Sequence, residues 1–156
     1  MYARILVAVD GSDVSRSALT HAITMARENG ARLLILHVVD EVPLLGYSQY
    51  ADVYGIEDTM IAAGRRILDK AAARASEAGA QSEVKLAEIL GPGERVSDTI
   101  PDQARQWDAE LIVVGTHGRR GLHHALLGSV AEGVVRLSSV PVLLIRNVAS
   151  ATNGSK

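Results

Sequence analysis

The stretch Val113–Gly133, "VVGTHGRRGLHHALLGSVAEG", decides how the chain is read. An apolar run stops at Gly115, a loop carries Gly118 and Gly128, and Ser129 then opens a second apolar segment with helical spacing. A strand that ends in glycine and leads through a loop into a helix is one half of a βα unit. Free amides at the start of such a helix, together with its dipole, favour an anion. Gly115 leaves room beside a ligand, Gly118 exposes an amide, Gly128 lets the backbone pass close, and Ser129 adds a hydroxyl. The spelling is neither Gly-x4-Gly-Lys-Ser/Thr nor Gly-x-Gly-x-x-Gly. On physics alone, two readings stay open at this point: a phosphate cradle, or an ordinary strand-to-helix turn with a serine cap.

Outward from this loop the same alternation recurs. Arg4–Asp10 is a β-branched run closed by Asp-Gly-Ser, and Ser12–Glu28 is a helix capped by Ser12 or Asp13 and ended by Gly30. Ala31–Asp40 is a continuous apolar strand, as expected where both faces of a parallel sheet are covered. After the irregular segment 41–55, Ile56–Gly79 is helical, Ser82–Leu90 a strand with the partial alternation of a sheet edge, and Glu94–Trp107 a helix. Pro101 should kink or break that helix. "AELIVVGT" is the fourth strand, Ser129–Leu137 the fourth helix and Val140–Arg146 the last strand. Five strands alternating with four helices give an α/β, doubly wound, Rossmann-like parallel sheet with helices on both faces, as one domain over residues 1–147. Residues 148–156 are expected to be a disordered tail. The strand order 3-2-1-4-5 puts a crevice between strands one and four, where such sheets bind ligands. Asp10 and the glycine loop meet there, although Asp10 followed by Gly11 is also an ordinary turn pair.

Composition removes several function classes. The 156 residues suit a domain with a full core, and with no Phe that core must be Val, Leu, Ile and Ala. A formal net charge of −2 argues against general binding to nucleic acid or anionic membranes. The absence of Cys excludes disulfides and thiolate metal sites. No apolar run is long enough to span a bilayer and no signal peptide is visible, so the chain reads as a cytoplasmic protein.

The chain resembles the universal stress protein family, and specifically its ATP-binding branch. The resemblance rests on "ILVAVDGS" (residues 5–12), "LLILHVVD" (33–40), "LIVVGTHGRRGLHHALLGSVAEGVVRLSSVPVLLIR" (111–146) and the order of elements. The family pattern Gly-x2-Gly-x9-Gly-Ser/Thr is met at Gly115, Gly118, Gly128 and Ser129. The resemblance implies an adenine nucleotide, ATP or else ADP or AMP, with Mg²⁺ or Mn²⁺ on the phosphates. It implies Asp10 near ribose, phosphate or metal, with Ala8 and Val9 at the floor. Val38 would offer backbone groups to the adenine edge, and Val114 would pack on the base. Gly115, His117 and Gly118 would line ribose and phosphates, while Gly128, Ser129, Val130 and Ala131 present amides to the phosphates. Relatives dimerise through the last strand, which implies a homodimer, or a tetramer, built on Val142–Arg146.

The remaining features are read both ways. Arg119 and Arg120 either neutralise phosphate or form a solvated loop tip. His123 and His124 are read as solvated rather than as metal ligands, since carboxylates and thiols are missing nearby. Leu122, Leu126 and Leu127 are read as anchors of the loop to the core. Tyr47, Tyr50 and Tyr54 are local packing, a lid or a partner surface, and Trp107 is expected to pack the third helix onto the sheet. Three functions follow: an ATP-binding stress or regulatory protein acting through nucleotide-dependent conformation or assembly; a slow ATPase or nucleotidyl-transfer enzyme; or a nucleotide-free interaction module. The first leads because no general base, Walker lysine or water-positioning group is evident.

Overall fold

The computed structural model describes residues 1–40, 53–89, 91–117 and 127–146. Among them run β1 (Arg4–Ala8), α1 (Asp13–Asn29), β2 (Arg32–Asp40), α2 (Val53–Glu77), β3 (Ser82–Ile89), α3 (Val96–Gln106), β4 (Leu111–Gly115), α4 (Ser129–Leu137) and β5 (Val142–Ile145). The strands form one sheet in the order β3-β2-β1-β4-β5. Every pairing is parallel, with Val7 opposite Ile35 of β2 on one side and Val113 of β4 on the other. The expected α/β order is therefore the observed one.

Each face of the sheet has its own core, because successive side chains along a strand point to opposite faces. Ile5, Val7, Leu33, Ile35 and Val113 pack against Leu19, Ile23, Leu68 and Ala75 of α1 and α2. Leu6, Leu34, Leu36, Ile112 and Val114 pack against Ile100, Ala104, Ala131 and Val134 of α3 and α4. The largest fully buried side chains are all Ile, Leu or Val, as the missing phenylalanine requires.

Edges follow the sequence less closely. β1 ends at Ala8, not Asp10, because the Asp10 side chain turns back to its own loop. β5 covers only Val142–Ile145, and α2 starts at Val53, earlier than Ile56. α3 starts at Val96 and continues through Pro101, which correct the expected start at Glu94 and the expected break. Ile100 and Pro101 are both buried in α3, so packing against the sheet holds the helix where propensity alone would end it.

Trp107, just after α3, does pack against the sheet. Its ring lies 4.4 Å from the Arg4 guanidinium, and its Nε1 donates to Glu83 Oε1 at 2.7 Å. These contacts join the first residues of β1 and β3 at the end of the sheet opposite the crevice.

Candidate nucleotide site at the carboxyl edge

The carboxyl ends of β1 and β4 lie side by side, and each feeds a helix. At the β1 end, Ala8 belongs to the α3/α4 face, whereas Val9 is buried on the α1/α2 face. Val9 can therefore serve a ligand only through its backbone, and that backbone is engaged: its N–H donates to Leu36 O at 2.8 Å, and its carbonyl meets His37 Nδ1 at 2.7 Å. Asp10 Oδ1 accepts from the Ser12 N–H at 2.9 Å, an Asx turn, and Ser12 Oγ in turn caps α1 by accepting from the Ser15 N–H at 3.2 Å. The turn reading of Asp10 is thus realised, and one carboxylate oxygen remains beyond that bond.

At the β4 end, Gly115 is required by packing. A Cβ there would lie 2.6 Å from Val14 Cγ1 of α1. The space expected for ribose or phosphate is filled from the protein's own side. Thr116 is buried and donates its N–H to Ile145 O at 2.9 Å, which ties the loop to β5. His117 Nδ1 lies 3.0 Å from Thr116 Oγ1, and its buried Nε2 has no partner among the described residues. The chain returns at Gly128, whose N–H donates to Thr116 O at 2.8 Å; a Cβ on Gly128 would stand 3.1 Å from that same carbonyl oxygen. A side chain at Gly128 would press on that carbonyl, so the close approach of the two loop ends favours glycine.

Gly128 is the N-cap of α4 and supplies no side-chain bond. The first intrahelical bond runs from the Glu132 N–H to Gly128 O at 2.9 Å, so among the described residues the amides of Ser129, Val130 and Ala131 are unpaired. Ser129 and Val130 are exposed, while the Ala131 side chain is buried and only its amide is offered.

A cavity of about 560 Å³ adjoins the start of α4, lined by Ser129, Val130, Asp40 and residues 93–97. Its volume falls in the range of small-molecule sites, about 300–1,000 Å³. Val38 precedes Asp40 on β2 and packs, like Val114, into the α3/α4 face beneath it. The cavity thus unites two of the expected site residues, Ser129 and Val130. The others that are described stand along the same sheet edge without lining it. Gly118, Arg119 and Arg120, with His123, His124, Leu122 and Leu126, lie outside the described residues, as do Tyr47, Tyr50 and residues 147–156. Leu127 is 36% exposed, so it does not anchor the loop in the core as expected.

Sequence reasoning missed the wall made by Asp40 and the start of α3. Asp40 closes β2 on the carboxyl edge just as Asp10 follows β1, and that parallel was the available signal. Among the described residues no group of three or more His, Asp or Glu side chains could hold a metal ion. No helix among the described residues is long and apolar enough to cross a membrane.

Comparison with known proteins agrees with this fold. Residues 1–146 match the model of the universal stress protein family. A universal stress protein of Bacillus subtilis, YxiE, is 37% identical over 94% of this chain and 100% of its own length. The crystal structure of a family member from Burkholderia pseudomallei superposes with a TM-score of 0.75 at 35% identity, over 92% of this chain and 96% of that one. The universal stress protein of Archaeoglobus fulgidus in complex with dAMP matches at 28% identity and TM-score 0.67, over 92% and 98% of the two chains. Another, in complex with cAMP, matches at 29% and 0.64, over 93% and 97%. The chain belongs to the universal stress protein family.

Proposed function

We propose that this protein binds ATP, or its di- or monophosphate, at the carboxyl edge of β1 and β4, and acts as a stress or regulatory protein through nucleotide-dependent conformation or assembly. The observation that carries the reading is the start of α4: a glycine cap, three amides unpaired among the described residues and Ser129 at the edge of the cavity. A helix start of this kind bears roughly half a positive charge and suits a phosphate. The family members in complex with dAMP and cAMP support an adenine nucleotide as the ligand class.

In this reading the α4 amides and Ser129 hold the phosphates, and His117 and Gly118 border them from the loop. The Asp10 carboxylate stands toward ribose or toward Mg²⁺ or Mn²⁺ on the phosphates. The ion supplies charge neutralisation when bound; the chain's own groups position the ligand.

β5 forms one edge of the sheet, and its unpaired side invites a second copy of the chain. The assembly in this reading is a two-fold dimer through Val142–Arg146.

Two measurements test it. Protein heat-denatured as purified should release adenine nucleotide, resolved by anion exchange, or should gain thermal stability with ATP and Mg²⁺. Failure of both removes the nucleotide reading. Light scattering at micromolar concentration should give the mass of a dimer, and a monomer would remove the assembly.

A further inference from the structure

Four polar side chains are buried among the described residues, Ser15, His37, Ser97 and Thr116, and the first two grip one peptide bond. His37 follows Leu33 and Ile35 in the column of β2 side chains that faces α1 and α2. Its Nδ1 stands 2.7 Å from Val9 O; a carbonyl only accepts, so Nδ1 carries the proton and donates. α2 crosses directly over the ring, since a Cβ on Gly64 would lie 2.7 Å from His37 Cδ2 and 3.1 Å from Nε2. At the other end of the same peptide, Ser15 Oγ of α1 accepts from the Asp10 N–H at 3.3 Å and donates to Ser12 O at 3.0 Å. The Val9 carbonyl and the Asp10 N–H belong to one planar unit. That unit is therefore held from β2 and from α1 just beyond Ala8, where β1 ends. Polar groups are costly to bury unless they are hydrogen-bonded, and these two spend their bonds on the peptide that leads into the Asp10 turn.

Building on the nucleotide reading, we propose that His37 is a positioning residue for Asp10. Packing alone does not ask for an imidazole here, because the rest of the column is Leu and Ile. What the imidazole adds is the bond to Val9 O. With the peptide plane fixed and Asp10 Oδ1 held by the Ser12 N–H at 2.9 Å, the direction of the Asp10 carboxylate is set before a ligand arrives. A group ordered in advance lowers the cost of binding. His37 lies on the α1/α2 face, whereas the cavity adjoins α3 and α4, so it acts through the Val9–Asp10 peptide and not by touching the ligand.

The test is calorimetric titration of ATP with Mg²⁺ into the wild type, His37→Leu, Asp10→Asn and the double variant. His37→Leu should weaken binding about 4-fold, the scale of one net hydrogen bond. In the Asp10→Asn background the same change should have no effect, because residues that act through one another are not additive. His37→Asn, whose amide donates from the place of Nδ1, should bind as the wild type does. Should His37→Leu not fold, His37→Gln, whose amide lies at the Nε2 end, takes its place with the same expectation. Equal affinity of wild type and His37→Leu overturns the proposal. Equal losses in both backgrounds also overturn it, because His37 would then act without Asp10, as does a His37→Asn variant that loses as much as His37→Leu. In each of these cases wild type still binds ATP and the nucleotide reading stands, whereas wild type that does not bind removes that reading and the role of His37 with it.

Discussion

The junctions β1–α1 and β4–α4 are built from the same parts and finished in opposite ways. Both run from a buried parallel strand through a glycine-containing loop into a helix at the carboxyl edge of the sheet. After β1, Asp10 closes an Asx turn on Ser12, Ser12 caps α1, and Ser15 Oγ accepts from the Asp10 N–H at 3.3 Å. After β4, the cap is Gly128, and among the described residues the first amides of α4 have no partner. One junction satisfies its polar groups internally, and among the described residues the other leaves its first helix amides open. The difference separates a turn closed on its own polar groups from the turn proposed to bind, which a count of glycines cannot do.

Substitutions can break or sharpen that contrast. Gly128→Val, with a branched side chain against Thr116 O and the mouth of the cavity, should cost at least about 100-fold in nucleotide affinity, or about 2.8 kcal/mol. Titration of ADP checks this, and unchanged affinity would refute the placement of the loop. Gly115→Ala should act on stability, because its methyl meets Val14. Overpacking of this kind costs about 1–3 kcal/mol, readable in a urea midpoint. A loss of affinity at unaltered stability would instead assign the space to a ligand.

Ser129→Ala should weaken nucleotide binding by about 10-fold and leave stability unchanged, since Ser129 is not the cap. Ser12→Ala should do the reverse, losing about 1 kcal/mol of stability with affinity retained. Were both serines to affect stability alone, the contrast between the junctions would collapse. The smallest expected effect is Asp10→Asn, which keeps the Asx turn and removes the charge. Affinity for nucleotide with Mg²⁺ should fall a few-fold, roughly the worth of one charge-assisted contact, with the unfolding midpoint unmoved.

Much of the fold was legible because burial on both faces leaves a plain signature. Runs such as "RLLILHVVD" lack alternation, and that absence marks an interior strand of a parallel sheet. β3, exposed over Ser82–Lys85, alternates only toward its end, and it is an edge strand. Pro101 misled because its intrinsic cost is local, while the burial that outweighs it comes from a sheet distant in sequence. The candidate site was half legible. Gly128 and Ser129 were found because a helix start depends on neighbouring residues. Asp40 and Ser97 were missed because they belong to other βα units and reach the cavity only when β2 and α3 are set beside α4.

The sequence by itself determined the alternation of elements, the composition of the core and the place of the glycine motif before α4, since each depends on short-range periodicity and turn chemistry. Only the tertiary structure decided what faces Gly115, Gly128 and Gly133. Val14 of α1 fills the space beside Gly115, Thr116 holds Gly128, and Gly133 admits Ser97. Close packing between elements far apart in the chain sets these contacts, and no local pattern encodes a distance between two helices.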